Sequence, residues 1–266
     1  MLNLKLYLDI LLKGKELIMI EKQKKLFCID ATGLHIIAMA LMLLDHLWAT
    51  IIPGNQWMTY MGRLAFPIFA FLISEGFVHT SNFKNYALRL LFFGLISEIP
   101  FDLMYASTVF YPFHQNVMFT LLLGLLAIRS LEQAKRNHTA KAAALGLTEL
   151  LAACAVAAIG MTDYGVQGVL TVVAFYLFRS CPFAWIGQLI SLVLLNILFF
   201  QGMYIPVQLF GHTIEFQTQG FAVLALLPIW LYNGKKGRSC RLFQYGTYTF
   251  YPAHMLVLYL IFSQLT

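Results

Sequence analysis

Residues 34–80 read LHIIAMALMLLDHLWATIIPGNQWMTYMGRLAFPIFAFLISEGFVHT, and this stretch decides the fold. Two apolar runs flank a short polar turn at Pro53-Gly54-Asn55. The first run carries Asp45 and His46 among side chains otherwise suited to lipid. The second opens on Gly62-Arg63 and closes on Glu75 and His79. An ionisable group at membrane depth is costly, so such groups mark a site or a deliberate pairing.

The rest of the chain has the same character. Of 266 residues, 60% are hydrophobic and 11% charged, and the mean hydropathy is +0.73. A soluble chain is about 25% charged. Apolar runs of helix-spanning length recur, and the two-residue alternation of a barrel strand is absent. The expected class is therefore all-α: one polytopic transmembrane bundle over residues 33–266 with about nine spans, in a range of roughly 8 to 11. The spans are expected near 33–53, 64–80, 85–105, 115–131, 141–160, 164–180, 183–201, 219–233 and 246–265. Residues 202–218 form the longest connection and suit a small re-entrant or interfacial piece.

Residues 1–32 scatter six lysines among Leu and Ile. The basic run follows the apolar stretch and no small-residue cleavage site appears, so this is not a cleavable signal. It reads as an amphipathic helix on an anionic membrane face. A second reading starts translation at Met19, since Lys15-Glu16 can be encoded as a ribosome-binding sequence; residues 1–18 would then be an upstream artefact.

Charge gives the bundle a direction. With these spans and a cytoplasmic N-terminus, every one of the 18 Lys and Arg residues except Arg63 falls on one side. The positive-inside rule makes that side cytoplasmic and puts the C-terminus outside. The formal charge of +6 follows from this asymmetry. It calls for no nucleic acid, because no basic stripe is interleaved with stacking aromatics. The outer side holds Glu98, Asp102, Asp163 and Glu215, with His114, Gln115, Asn116, Tyr164 and His212 in the same layer. Such a vestibule attracts a cation or an amine, although each residue alone could simply solvate a helix end. The four cysteines show neither disulfide nor zinc spacing, and no metal site is expected.

His35, Met39, Met42 and His46 step by four, three and four, so they share one helix face. His46 lies roughly 20 Å into its span at 1.5 Å per residue, and a neutral imidazole there can serve as a general base. Asp45 points about 100° away and is better placed to meet Arg63 on the next helix. Glu75 and His79 can pair across one turn. Glu98 and Asp102 bracket Pro100, which suits a broken helix more than a glycosidase cleft. Tyr251-Pro252-Ala253-His254 puts a helix break and a second imidazole inside the bundle. Nucleotide-loop, GxSxG and HExxH patterns are absent. These features alone leave a transporter and a membrane-embedded transferase both open.

The runs GRLAFPIFAFLISEGFVHTSN (62–82), LISEIPFDL (95–103), QNVMFTLLLGL (115–125), DYGVQGVL (163–170), YNGKKG (232–237) and FYPAHMLVL (250–258) resemble, in the same order, the TraX family. The resemblance covers about residues 29–262. It implies a bacterial inner-membrane protein linked to N-terminal acetylation of conjugative pilin. It also implies kinship in plan with membrane acyltransferases, in which a helix histidine serves catalysis and the donor is a cytosolic acyl-CoA. FYPAH is similar to a Tyr-x-x-His feature of some of those enzymes.

Joined to the residues, the resemblance implies an acetyl-CoA-dependent N- or O-acetyltransferase. His46 would be the base, with Asp45, Arg63 and Asn116 completing the catalytic group. His79, Arg89, Lys135, Arg136, Lys141, Arg179 and Arg238 would face the donor's phosphates. Glu98, Asp102, Gln115, Asp163, Tyr164 and His254 would face the acceptor, a pilin-like peptide or an envelope glycan. An O-acyltransferase of envelope glycan or lipid is the nearest alternative. A transporter or flippase is the alternative from another class, though no internal repeat supports it. Oligomeric state is not legible.

Overall fold

The computed structural model describes residues 28–199, 202–209, 211–237 and 240–265. Arg238 and most of the expected N-terminal interfacial segment lie outside the described residues. Helix α1, Ala31–Thr50, starts where the Asp30 side chain accepts a hydrogen bond from Gly33 N at 2.8 Å, satisfying one of the helix's orphan amides. It ends just before Pro53-Gly54, which cannot continue a helix. Helices α2, Gln56–Gly62, and α3, Ala65–His79, are separated only by a turn at Arg63-Leu64. Pro67 is tolerated because it sits in the first turn of α3. Helix α4, Phe83–Ala106, is capped by Asn82 and stops at Ser107, whose backbone is left-handed.

Helix α5, Val117–Asn137, is capped by Asn116 and carries Lys135 and Arg136 in its last turn, where the helix dipole favours cations. Helix α6, Ala140–Ile159, returns from a Thr139 cap. Helices α7, Gly165–Phe178, and α8, Ala184–Val193, follow, and α8 widens into a π-helical stretch at Leu194–Phe199. A 3-10 helix, Thr218–Ala225, runs into the short α9, Leu226–Trp230. The last helix is α10, Arg241–Leu265.

Helix α3 is the axis of the packing. Ten of its 15 residues are buried, and it touches α1, α5, α7 and the 3-10 helix. Helix α10 lies between α1 and α4, while α5 pairs with α6 and α7. Backbone bonds tie Ile29, Ala31 and Asn233 together at one end, where Ile29 N meets Leu231 O at 3.1 Å. At the other end, Gln115 N meets Met161 O at 3.0 Å and Asp163 N meets Gln115 O at 2.8 Å. Arg179, Lys236, Lys135 and Arg136 belong to the first, basic end.

The outer faces are apolar: Phe92, Leu95 and Ile99 on α4 are each more than half exposed, as are Leu147, Leu151 and Ile159 on α6. Surfaces of that kind face lipid. Among the described residues, Ala31–Thr50, Gln56–His79, Val117–Asn137 and Ala140–Ile159 are long and apolar enough to cross a membrane, and three shorter apolar helices accompany them. The protein is a helical membrane protein.

The all-α expectation needs one amendment. Residues 202–218 contain an antiparallel hairpin, β1 (Tyr204–Leu209) with β2 (His212–Gln217), in register Tyr204↔Gln217 to Leu209↔His212. Alternating Ile, Val and Phe favour the strands, and Gly211 supplies the positive φ of +80° that the turn needs. The expected continuous span at 219–233 is likewise a 3-10 piece followed by one α-helical turn.

Candidate functional site

Helices α1 and α10 run side by side in the same direction. His35 lies against Phe243 with ring centroids 6.4 Å apart, and His46 meets His254. Both pairs are 208 positions apart, so one register sets both contacts. The shared helix face expected for His35 and His46 is therefore the face turned to α10.

His46 Nδ1 is 2.7 Å from His254 Nε2, and His254 Nδ1 is 2.7 Å from the carbonyl of Phe250. The two ring planes differ by 2° with centroids 4.9 Å apart. That separation equals the N···N distance plus both ring radii, so the rings lie edge to edge in one plane. This is the geometry of a good in-plane hydrogen bond. His254 is buried, and His46 is half-buried.

One residue earlier, Asp45 accepts from Arg63 Nη2 at 2.9 and 3.0 Å, and the same nitrogen donates to Thr59 at 2.9 Å. The pairing of two membrane charges removes most of the cost of either. It also requires glycine at 62, since a Cβ there would sit 2.3 Å from the Asp45 Cβ. Arg63 Nε is buried with no hydrogen-bond partner among the described residues. Tyr164 stacks on Phe66 at 3.8 Å and touches Arg63. Its backbone is left-handed, with φ +62°, which a bulky residue adopts only when held there.

The remaining polar residues at this end do structural work that the sequence did not disclose. Asn116 is fully buried. Its amide nitrogen donates to Gly94 O at 2.8 Å and to Glu98, and its side-chain oxygen caps Met118 N at 3.0 Å. Both amide hydrogens are thus taken within the bundle. Asp102 holds the 107–111 loop through Tyr111 N at 2.8 Å. Asp163 faces His114 at 3.7 Å. Gln115 donates to Pro112 O at 3.1 Å.

A cavity of about 580 Å3 opens at the basic end. Its rim and walls include His35, His79, Thr80, Arg89, Tyr232 and Lys236, and its floor includes Phe69, Leu72, Met118 and Leu121. Arg89 lies 5.7 Å from the Tyr86 ring and bonds Tyr248, but its Nε is buried with no hydrogen-bond partner among the described residues. Tyr232, in the loop after α9, has its phenol pushed up to about 12 by burial and by the nearby Glu75 carboxylate, so it remains a donor. His254 is six residues beyond Tyr248 on the cavity wall, or roughly 9 Å along α10.

The cationic residues expected together divide here. His79 and Arg89 line the cavity. Arg179 is engaged by Glu75 at 2.6 Å, which also faces His79 at 3.5 Å. Arg136 pairs with Glu132 at 2.7 Å on an exposed surface and, like Lys135 and Lys141, does not line the cavity. Lys236, His35 and Tyr232 line the cavity beside His79 and Arg89. Sequence spacing gave no signal of this, because two elements far apart in the chain, α1 and the loop after α9, deliver them.

The fold and site define a class: a helical membrane protein with a coplanar histidine pair inside the bundle and a cavity open among cations at one end. The chain belongs to the TraX family, whose model, described as TraX protein, matches residues 31–262. It is also 30% identical over 244 residues to a probable fimbrial assembly protein FimC, serogroup H1, of Dichelobacter nodosus, covering 86% of this chain and 94% of that one. No solved structure matches the chain.

Proposed function

We propose that this protein is a membrane-embedded acetyltransferase, moving an acetyl group from cytosolic acetyl-CoA to an acceptor amine at the outer side of a bacterial cytoplasmic membrane. The observation that carries this reading is the His46–His254 pair, roughly 9 Å along α10 from the wall of a cavity that opens among cations. In this reading the chain makes nine spans, with the basic end in the cytoplasm. The cavity volume is within the range of ligand sites. Arg89, Lys236 and His79 receive the donor's phosphates at the mouth, and Phe69, Leu72 and Leu121 line the path of its thin, mostly apolar arm. Arg89's orphaned Nε–H is the kind of group that such an anion would satisfy.

The acceptor reaches the opposite end, where Asp163 and Glu98 attract its ammonium form, which gives one proton to water and reacts as the free amine. As the amine nitrogen attacks the thioester carbonyl, a C–N bond forms and His46 takes the proton. Arg63 supplies charge to the tetrahedral oxyanion; one such donor is worth about 3 kcal/mol. The C–S bond then breaks, and His46 returns the proton to the CoA thiolate. The fimbrial-assembly name of the relative makes a pilin-like N-terminus the acceptor to test first.

The test is transfer of labelled acetyl from acetyl-CoA to a synthetic peptide with a free apolar N-terminus, by purified protein in lipid nanodiscs. The His46→Ala variant should lose about 10^2- to 10^4-fold in kcat and retain acetyl-CoA binding. Wild-type turnover by that variant would remove His46 from the chemistry.

A further inference from the structure

We infer that His254 is a positioning residue that fixes the tautomer of His46, with the hydrogen on Nδ1 and the lone pair on Nε2. This rests on the acetyltransferase reading only for its kinetic consequence; the tautomer itself follows from the hydrogen-bond chain. The chain has one chemically fixed end. The Phe250 carbonyl can only accept, so His254 Nδ1 carries a hydrogen and donates to it at 2.7 Å. Among the described residues no carboxylate bonds His254, so nothing compensates a second proton on this buried ring. Its Nε2 is therefore the acceptor, and His46 Nδ1 must donate to it at 2.7 Å. The basic nitrogen of His46 is then Nε2, on the ring edge turned away from α10.

Free histidine does not hold this tautomer. Here α10 imposes it through a residue that touches neither reacting group. The coplanar rings make the constraint directional: a 2° angle between planes fixes the orientation of His46 as well as its hydrogen. When His46 accepts a proton at Nε2, its Nδ1–H still donates to His254, and His254 changes neither tautomer nor charge. His35 serves as an internal reference. Like His254, it must donate from Nδ1 to the carbonyl four residues before it, Ala31 O at 2.8 Å, so it gives the Nδ1–H signal without a second imidazole.

The experiment combines a spectroscopic and a kinetic arm on the full chain in nanodiscs. In 15N-histidine-labelled protein, the His46 signal, identified by its loss in His46→Asn, should be that of the neutral Nδ1–H tautomer. Its Nδ1 resonance should shift in His254→Leu, which removes the ring nitrogen it donates to. An Nε2–H signal in the wild type overturns the inference, whatever the protein catalyses. In the transfer assay, His254→Leu should lower kcat roughly 100-fold with KM for acetyl-CoA unchanged. His254→Gln, which keeps an acceptor near the Nε2 position, should recover at least a tenth of wild-type kcat. A glutamine variant as slow as the leucine variant, with both binding acetyl-CoA normally, also overturns it. Loss of turnover in wild type would fail the acetyltransferase reading alone, because the tautomer arm does not depend on it.

Discussion

The two ends of α1 offer the same residue in two settings. His35 and His46 lie on one face, against the same neighbouring helix, in the same register. At position 243 the neighbour is Phe243, the ring is beside open space, and the surrounding cations retain unused donors. At position 254 the neighbour is a second imidazole, and the layer around it is closed by pairing: Asp45 with Arg63, Asn116 with Glu98, His46 with His254. The first arrangement is suited to receive something from outside. The second is suited to hold one proton donor and one acceptor in fixed positions, with one spare donor beside them at Arg63 Nε. One residue in the partner helix, phenylalanine at one contact and histidine at the other, makes the difference.

The largest effect of breaking this contrast is expected in the closed layer. Asp45→Ala leaves Arg63 without its carboxylate in a site where both side chains are less than a quarter exposed. Loss of one partner of a buried pair costs about 3 to 5 kcal/mol. SDS-titrated unfolding should report a loss of this order. The double replacement Asp45→Leu with Arg63→Met should be more stable than the single variant, because no charge is left stranded. A double variant weaker than Asp45→Ala would mean that the pair is not what holds α1 against α2.

The open end should respond in affinity. Arg89→Gln removes the charge whose Nε has no partner. If the donor's phosphates bind there, KM for acetyl-CoA should rise about 10- to 100-fold with kcat nearly unchanged, since a charge-assisted hydrogen bond is worth about 1.5 to 3 kcal/mol. Isothermal titration with CoA alone checks the same point without turnover. An unchanged affinity would move the donor elsewhere on the basic end.

The sequence disclosed the parts of this contrast that are local or global, and missed those of intermediate range. Apolar run lengths revealed the helices, and the face shared by His35 and His46 follows from helical spacing. Asp45 and Arg63 were legible as partners because two costly charges at similar depth on adjacent helices have few other solutions. The pairing of His46 with His254 was not, although both residues stood out. It depends on α1 and α10 being neighbours, which the order of helices in the chain does not determine. The cap and the Glu98 and Gly94 bonds of Asn116 were hidden for a related reason: they depend on where α4 lies beside the start of α5. The hairpin at 204–217 was hidden because its alternation is short and lies next to longer apolar runs. The division of the cations was hidden too, because net charge records which side they occupy and nothing about which of them are already paired.

That last distinction yields the smallest expected effect and the sharpest control. Arg136 and Arg89 are both arginines at the basic end, and charge counting treats them alike. Arg136 sits one turn from Glu132, with its side chain 75% exposed, and water screens what the pair gains. An exposed i, i+4 pair on a helix contributes about 0.3 to 0.5 kcal/mol. Arg136→Gln should therefore shift unfolding by no more than that and leave acetyl-CoA affinity unchanged at moderate salt. Glu132 also accepts from Tyr176 on α7, so the carboxylate keeps a partner when the arginine is gone. If Arg136→Gln weakened acetyl-CoA binding as much as Arg89→Gln, the response would be to the summed field of the basic face. Raising the salt to about 0.5 M would then abolish both effects together, whereas a direct Arg89 contact in a partly buried cavity should persist.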